Sequence, residues 1–189
     1  MIDETPVTFD VDGASVSGVY TRPADAAGTI VVAHGAGAGM EHPFMSGFTR
    51  AMRDEGFAAL RFNFPYREAK RRFPDRPPVA VATWRAAMAA AAELAAAAGS
   101  PDEPIWASGK SFGGRMASMA VAEGMTAAGL VYLGYPLHPP GRPEKARDEH
   151  LPGITVPMLI LQCEQVQRRG HRMAPAQTAG RASIPAASP

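Results

Sequence analysis

Cysteine is nearly absent from this chain, with a single residue, Cys163, among 189. One cysteine excludes an internal disulfide and argues against a cysteine-based zinc site. Charge of one sign is also scarce, because the formal net charge is only +1 and no long basic run occurs. This balance argues against nucleic acid and anionic membrane surfaces as partners.

Long apolar segments are missing as well. The first residues, Met1 to Thr5, include acidic side chains and lack the apolar core of a signal peptide. The longest run of small residues, 86–98, contains Glu93 and is too short to span a bilayer. We therefore expect a cytoplasmic protein with no membrane or nucleic-acid partner.

What the chain does contain is typical of one globular domain. Hydrophobic residues make up 46% of it and charged residues 20%, which is enough apolar surface to build a core. Strand-like apolar runs alternate with helix-like segments as far as residue 162. Strands are expected at 7–11 and 15–20, paired as a hairpin, and at 29–33, 57–64, 104–108, 129–134 and 156–162.

Helices are expected between these strands. One should begin at Pro43 and carry an apolar stripe of Phe44, Phe48 and Met52, which fall four residues apart. A long alanine-rich helix should follow Pro78, and another should begin at Phe112. The alternation predicts an α/β fold with a mostly parallel central sheet and helices on both faces.

The most informative stretch is G-x-S-x-G at residues 109–113. It lies between a predicted strand and a predicted helix, the setting that a nucleophile elbow requires. The flanking glycines would let the backbone turn sharply, so that the hydroxyl of Ser111 is lifted toward a carbonyl substrate. The alternative is an ordinary glycine- and serine-containing turn between a strand and a helix.

A glycine-rich loop, HGAGAG at residues 34–39, follows the third predicted strand. Acyl transfer through a serine needs backbone N–H groups aimed at the developing oxyanion. One should come from Phe112, which follows the nucleophile, and the other from Ala36 in this loop. A generic glycine-rich loop is the alternative. A P-loop interpretation fails, because Pro104 stands where it needs glycine. A dinucleotide fingerprint fits poorly, because Met40 stands where its third glycine should fall and no acidic residue ends the following strand.

Four segments give the chain a specific resemblance. In order, they are HGAGAGMEHPFM from residue 34, RFNFPYR from 61, GKSFGGRMAS from 109 and LGYPLHPPGRPEKARDEH from 133. With these segments the chain resembles dienelactone-hydrolase-like α/β-hydrolases over residues 7–162. Within them it is most similar to the small lidless bacterial relatives of testis-expressed and histone-acetyltransferase-complex α/β-hydrolase-like proteins.

The resemblance implies an α/β-hydrolase fold and a serine hydrolase without metal or organic cofactor. Its partner would be a small-molecule substrate, an ester, thioester or amide of a small acyl group. The pocket would be lined by His34, Tyr135 and His138, together with Met40 and Tyr66. The sequence carries no signal of oligomeric state.

The catalytic acid and base are the weak point of the pattern. In related proteins an Asp follows the strand that corresponds to 156–162, but Val166 stands there. Glu164 is the last carboxylate side chain and His171 is the last histidine, so they are the candidates for acid and base. Only six residues separate them and none reads as a strand. The alternative function is therefore a catalytically impaired binding or interaction module, or a truncated gene product.

The composition changes abruptly after Gln162. Residues 163–189 are rich in Arg, Gln, Ala, Ser and Pro and poor in large apolar residues, which indicates a disordered tail. We hypothesise that a frameshift or truncation removed the last strand and helix. The edge of the sheet at 156–162 would then be unpaired, and stability would fall while self-association increases.

Several other residues receive structural interpretations. Arg61 and Arg115 should hold loops through hydrogen bonds, Lys110 should face solvent beside the serine, and His150 should lie on a surface turn.

Overall fold

The computed structural model describes residues 4–139 and 141–162. The strands are β1 (Thr5–Val11), β2 (Ala14–Thr21), β3 (Thr29–Ala33), β4 (Ala58–Phe62), β5 (Ile105–Lys110), β6 (Gly129–Leu133) and β7 (Met158–Leu161). The helices are α1 (Pro43–Asp54), α2 (Pro65–Glu68), α3 (Pro77–Ala97) and α4 (Phe112–Ala122), and a 3-10 turn spans Leu151–Gly153.

The strands form one mixed sheet in the order β1-β2-β4-β3-β5-β6-β7. β2 pairs antiparallel with β1 and with β4, and the remaining pairs are parallel. The predicted hairpin and the predicted mostly parallel sheet are both confirmed.

Alternate residues of β3 show that helices cover both faces of the sheet. Val31 and Ala33 belong to the main core, which also contains residues of α3 and α4. Ile30 and Val32 belong to a smaller cluster on the other face, around Met45 of α1. This is the period-two alternation of a strand that is buried on both sides, and it confirms the predicted layers.

The helix α3 is 21 residues long and, among the described helices, it alone is long and apolar enough to cross a membrane by length and hydropathy. Eight of its residues are buried, and Trp84 is fully enclosed, with its Nε1–H donating to the Gly113 carbonyl at 3.0 Å. A buried core helix of a globular domain meets the same criterion of length and hydropathy. Most of the buried residues of α3 pack in the main core, as those of a core helix do.

A buried arginine of β4 ties the interior of the sheet to the residue before β1, the strand at one edge. Arg61 is 2% exposed, and its two terminal nitrogens donate to the Glu4 carboxylate at 3.1 and 2.8 Å. These hydrogen bonds hold the pKa of Glu4 below its usual value. The predicted structural role of Arg61 agrees with this contact.

At the other edge, β7 pairs only with β6 among the described strands, and its four residues are all exposed. The residues on which the tail hypothesis rests, 163–189, lie outside the described part of the chain, as does Cys163. The expected loss of a last strand and helix therefore stays a prediction.

Candidate functional site

Ser111 sits between β5 and α4 in a strained backbone conformation. Its φ of +50° and ψ of −108° are rare for a residue with a side chain. The surrounding backbone holds this conformation, because Ser111 N–H donates to Gly134 at 2.9 Å and Arg115 N–H donates to Ser111 at 3.0 Å. The Oγ does not cap α4, and it takes part in no side-chain hydrogen bond among the described residues. The hydroxyl of Ser111 thus lies at a sharp turn without a hydrogen bond to any described residue.

The glycines around Ser111 are required by close packing. A Cβ on Gly109 would lie 2.3 Å from the Gly114 nitrogen, and one on Gly113 would lie 2.7 Å from the carbonyl oxygens of Ala33 and His34. Neither glycine has a positive φ. The glycines thus allow the sharp turn without side-chain clash, as expected, and let α4 approach β5 and β3, while Ser111 itself takes the strained conformation.

The two expected oxyanion donors are Ala36 N–H in the glycine-rich loop and Phe112 N–H at the start of α4. Among the described residues neither Ala36 N–H nor Phe112 N–H has an acceptor. Gly35 packs directly on the elbow, since a Cβ there would lie 3.8 Å from the Cβ of Ser111 and 3.5 Å from the Lys110 carbonyl. The structure thus brings the loop of Ala36 against the turn of Ser111 and Phe112.

His34 is completely buried and both ring nitrogens are engaged. Phe64 N–H donates to Nε2 at 3.3 Å, so the proton lies on Nδ1, which is 2.8 Å from the Gly35 carbonyl. Burial lowers the pKa of His34 to about 4. The expectation that His34 lines the substrate pocket is wrong for its side chain, which instead holds the glycine-rich loop from beneath.

Tyr135 does not line an open pocket either. It is 4% exposed, and its hydroxyl donates to the Arg147 carbonyl at 2.9 Å. The ring anchors the segment after β6, so this pocket prediction is also corrected. His138 is exposed, with Nδ1 3.0 Å from the Pro139 carbonyl, and its substrate contact stays a prediction.

His150 contacts the side chains of Ser118 and Tyr135. Its Nε2 lies 2.7 Å from Ser118 Oγ and 3.4 Å from the Tyr135 hydroxyl. Burial lowers the pKa of His150. His150 lies on a turn and is half-buried, which agrees with the predicted surface turn, and the fold adds its contacts with Ser118 and Tyr135.

No histidine within residues 4–139 and 141–162 is hydrogen-bonded to Ser111. His42 is the fourth histidine of this part, and its Nδ1 accepts from Phe44 N–H at 3.1 Å at the start of α1. The candidate base His171 and acid Glu164 lie outside the described residues. The same residues contain no cluster of three or more His, Cys, Asp or Glu side chains suited to a metal ion.

Phe44, near the elbow, does not take the position expected for it in α1. Phe44 is 42% exposed and does not join the apolar stripe of α1, whereas Phe48 and Met52 pack against the smaller core cluster. The Lys110 ammonium lies over the Phe44 ring, 4.2 Å from its centroid.

Tyr66, which was expected to line the pocket, is fully buried beneath the glycine-rich loop.

Comparison with known proteins agrees with this architecture. The sequence profile of a family described as an alpha/beta hydrolase domain matches residues 26–172. The match extends past Gln162, where the resemblance was expected to stop, and it includes positions 164 and 171. No curated protein matches the chain at a significant level.

Solved structures show the same fold at low sequence identity. A dienelactone hydrolase from Anabaena variabilis is 20% identical with a TM-score of 0.64, over 84% of this chain and 72% of that one. An α/β serine hydrolase without a lid from Xanthomonas campestris is 22% identical with a TM-score of 0.62, over 85% and 71%. An alpha-beta serine hydrolase homologue from Coxiella burnetii is 18% identical with a TM-score of 0.63, over 86% and 74%.

The mixed sheet, the strained serine between β5 and α4 and the profile match over most of the chain agree with one another. The chain has the α/β-hydrolase fold and belongs to the alpha/beta hydrolase domain family.

Proposed function

We propose that this chain is a serine hydrolase that cleaves an ester, thioester or amide of a small acyl substrate, with Ser111 as the nucleophile. The observation that carries the proposal is the strained elbow, which packs against the loop of Ala36 and where neither Phe112 N–H nor Ala36 N–H has an acceptor among the described residues. Backbone strain of this kind persists where the surrounding structure enforces it, and it is common at active sites.

In this proposal Ser111 Oγ attacks the carbonyl carbon of the substrate while a base accepts the hydroxyl proton. The carbonyl oxygen gains negative charge, which Phe112 N–H and Ala36 N–H stabilise. The leaving group departs with a proton, and water then hydrolyses the acyl-serine with the same groups in the same roles. His171 is the candidate base and Glu164 the candidate residue that orients it. Both fall within the matched family region.

The nature of the structural neighbours supports the reaction class. They are described as a dienelactone hydrolase and as serine hydrolases, one of them without a lid. We further propose that the chain belongs with the small lidless bacterial relatives of testis-expressed and histone-acetyltransferase-complex hydrolase-like proteins, and that it acts in the cytoplasm. These finer assignments rest on the four sequence segments and on composition.

One observation favours the second candidate, a catalytically impaired binding or interaction module. Each of the four histidines in the described chain has a hydrogen-bond partner other than Ser111. A serine without a base retains only the residual rate that an oxyanion hole supplies.

Labelling with a fluorophosphonate probe separates the two candidates. We expect the purified chain to be labelled at Ser111, Ser111→Ala to lose the label, and Ser118→Ala to keep it. Ser118 is a matched control, because it lies on the same helix but is buried and bonded to His150. If the folded wild-type chain is not labelled, the hydrolase proposal fails and the binding module takes its place.

A further inference from the structure

The hydroxyl of Tyr66 lies under the glycine-rich loop at the point where the oxyanion donor is expected. It donates to the Ala36 carbonyl at 2.9 Å and lies 3.5 Å from the Gly35 carbonyl. Tyr66 is fully buried, so its hydroxyl is shielded from any substrate. Burial raises the pKa of Tyr66 to about 12, which keeps the hydroxyl protonated and donating.

The loop that receives this hydrogen bond is a tight four-residue turn. Ala38 N–H donates to the Gly35 carbonyl at 3.1 Å, and Ala36 and Gly37 are the central residues. Neither central residue has a positive φ, as in a type I turn. A type II turn differs by rotation of the central peptide and needs a positive φ at its third residue. That residue is Gly37, for which such a φ costs little.

The orientation of each peptide in this turn follows from where its carbonyl points. All peptide bonds in the described chain are trans, so each N–H points opposite to the carbonyl of the same peptide. The Gly35 carbonyl faces the buried His34 ring at 2.8 Å, and the Ala36 carbonyl faces buried Tyr66. The N–H groups of Ala36 and Gly37 therefore point to the open side of the loop.

We propose that Tyr66 is a positioning residue that locks the Ala36–Gly37 peptide, so that the N–H of Gly37 and not the carbonyl oxygen of Ala36 faces the site beside Ser111, on the same side as the Ala36 N–H. The inference rests on the proposed function and deepens it, because it names what keeps the oxyanion site attractive to negative charge. If the central peptide rotated, the Ala36 carbonyl would point to the open side, where its partial negative charge opposes an oxyanion.

Tyr66 is itself held firmly enough to act in this way. Its backbone N–H donates to Asp75 Oδ2 at 2.9 Å, and Asp75, which is 7% exposed, is paired with Arg71. Its ring packs edge-on against Phe112, with centroids 6.5 Å apart. The same tyrosine thus contacts the residues that carry both expected oxyanion donors.

The test compares two tyrosines that make the same kind of bond. Tyr66→Phe removes the hydroxyl but keeps the ring, and Tyr135→Phe removes another buried hydroxyl that donates to a backbone carbonyl at the same 2.9 Å. We expect the maximal rate of fluorophosphonate labelling to fall about tenfold in Tyr66→Phe, less than the loss of a whole oxyanion donor, with little change in probe affinity. Tyr135→Phe should label like the wild type.

A double variant tests the rotation itself. A Cβ on Gly37 meets no atom within 4 Å, and alanine disfavours the positive φ that the rotated peptide needs. Adding Gly37→Ala to Tyr66→Phe should therefore restore most of the labelling rate. Labelling of Tyr66→Phe at the wild-type rate, or no recovery in the double variant, would overturn the inference.

Amide hydrogen exchange gives a readout that does not depend on activity. Gly37 N–H belongs to the central peptide and points to the open side of the type I turn, whereas rotation turns it toward the buried side. It should therefore exchange more slowly in Tyr66→Phe and recover in the double variant, while Tyr135→Phe leaves it unchanged. If the wild type is not labelled but this exchange pattern appears, the proposed function fails and the locking role of Tyr66 stands. Unchanged exchange at Gly37 would overturn the locking role whether or not Ser111 reacts.

Discussion

At the scale of single residues, burial has changed the role of the histidine that begins the glycine-rich loop. The position of His34 at a strand end predicts a pocket residue. In the structure its ring is enclosed by the rings of Phe64 and Tyr66, whose centroids lie 5.2 and 5.8 Å away. It works as a neutral bridge between Phe64 N–H and the Gly35 carbonyl. Protonation would place a second donor against Phe64 N–H, so the loop depends on the neutral ring.

This neutral histidine predicts a specific loss of stability in mild acid. The pKa of His34 falls from 6.5 to about 4 on folding, so the unfolded chain binds the proton first as pH drops between these values. The free energy of unfolding should therefore be highest above pH 6.5 and should fall toward pH 4. We expect urea denaturation to show a decrease on the order of 2 kcal/mol between pH 7 and pH 5.

The variant His34→Asn identifies the source of that decrease. It should be less stable at pH 7 yet lose less stability between pH 7 and pH 5. His150, whose pKa is also lowered by burial, adds a contribution of the same sign, so His150→Asn serves as the comparison. An unchanged slope in His34→Asn would show that folding does not lower the pKa of His34.

At the scale of elements, the helix after Ser111 packs so closely on the sheet that only glycine fits at the contact. Gly113→Ala places a methyl group 2.7 Å from two backbone carbonyl oxygens, which have no freedom to move away. We expect a loss of about 3 kcal/mol in unfolding free energy and loss of the elbow geometry. Thermal and urea denaturation measure the first effect.

The matched control is another helical glycine. A Cβ on Gly47 of α1 meets no atom within 4 Å, so Gly47→Ala should raise stability by roughly 0.5–1 kcal/mol, because alanine is the better helix former. Equal effects of the two substitutions would contradict the close-packing account of Gly113.

The same elements show what sequence patterns predict well. Every expected strand within the described residues is present, and α1 and α4 begin at Pro43 and Phe112 as predicted. Proline and apolar runs determine local backbone structure, so the helices and strands that they favour can be predicted from the sequence alone. Strand ends were predicted less well, as 57–64 became Ala58–Phe62 and 7–11 became Thr5–Val11, because pairing partners decide where a ladder stops.

The candidate site was predicted less evenly, for a related reason. The elbow at 109–113 is detectable because its glycine and serine pattern is contiguous in the sequence. His34 and Tyr135 were misplaced, since their burial depends on partners such as Phe64 and Arg147. Tyr66 was expected near the pocket, but its hydrogen bond to Ala36 crosses 30 positions and leaves no periodic trace.

At the scale of the whole molecule, the described residues cover the sheet unevenly. Leu130 and Tyr132 of β6 are each 1% exposed, whereas their register partners Met158 and Ile160 on β7 are 41% and 52% exposed. Leu159 and Leu161 on the opposite face of β7 are exposed to a similar degree. An apolar strand exposed on both faces at a sheet edge is a site for pairing with a second copy.

We therefore expect this chain to self-associate through β7 in a concentration-dependent way. Leu159→Lys puts a charge on the exposed strand, and Leu137→Lys is its matched control, because each leucine is 53% exposed but Leu137 lies in the loop after β6. Sedimentation velocity should show the wild type and Leu137→Lys shifting to faster species as concentration rises, while Leu159→Lys stays monomeric. Since an exposed leucine contributes little to the folded monomer, neither substitution should lower its stability by more than about 0.5 kcal/mol. Association that persists in Leu159→Lys would place the contact elsewhere on the molecule, and a wild type that remains monomeric at all concentrations would mean that β7 is covered within the chain itself.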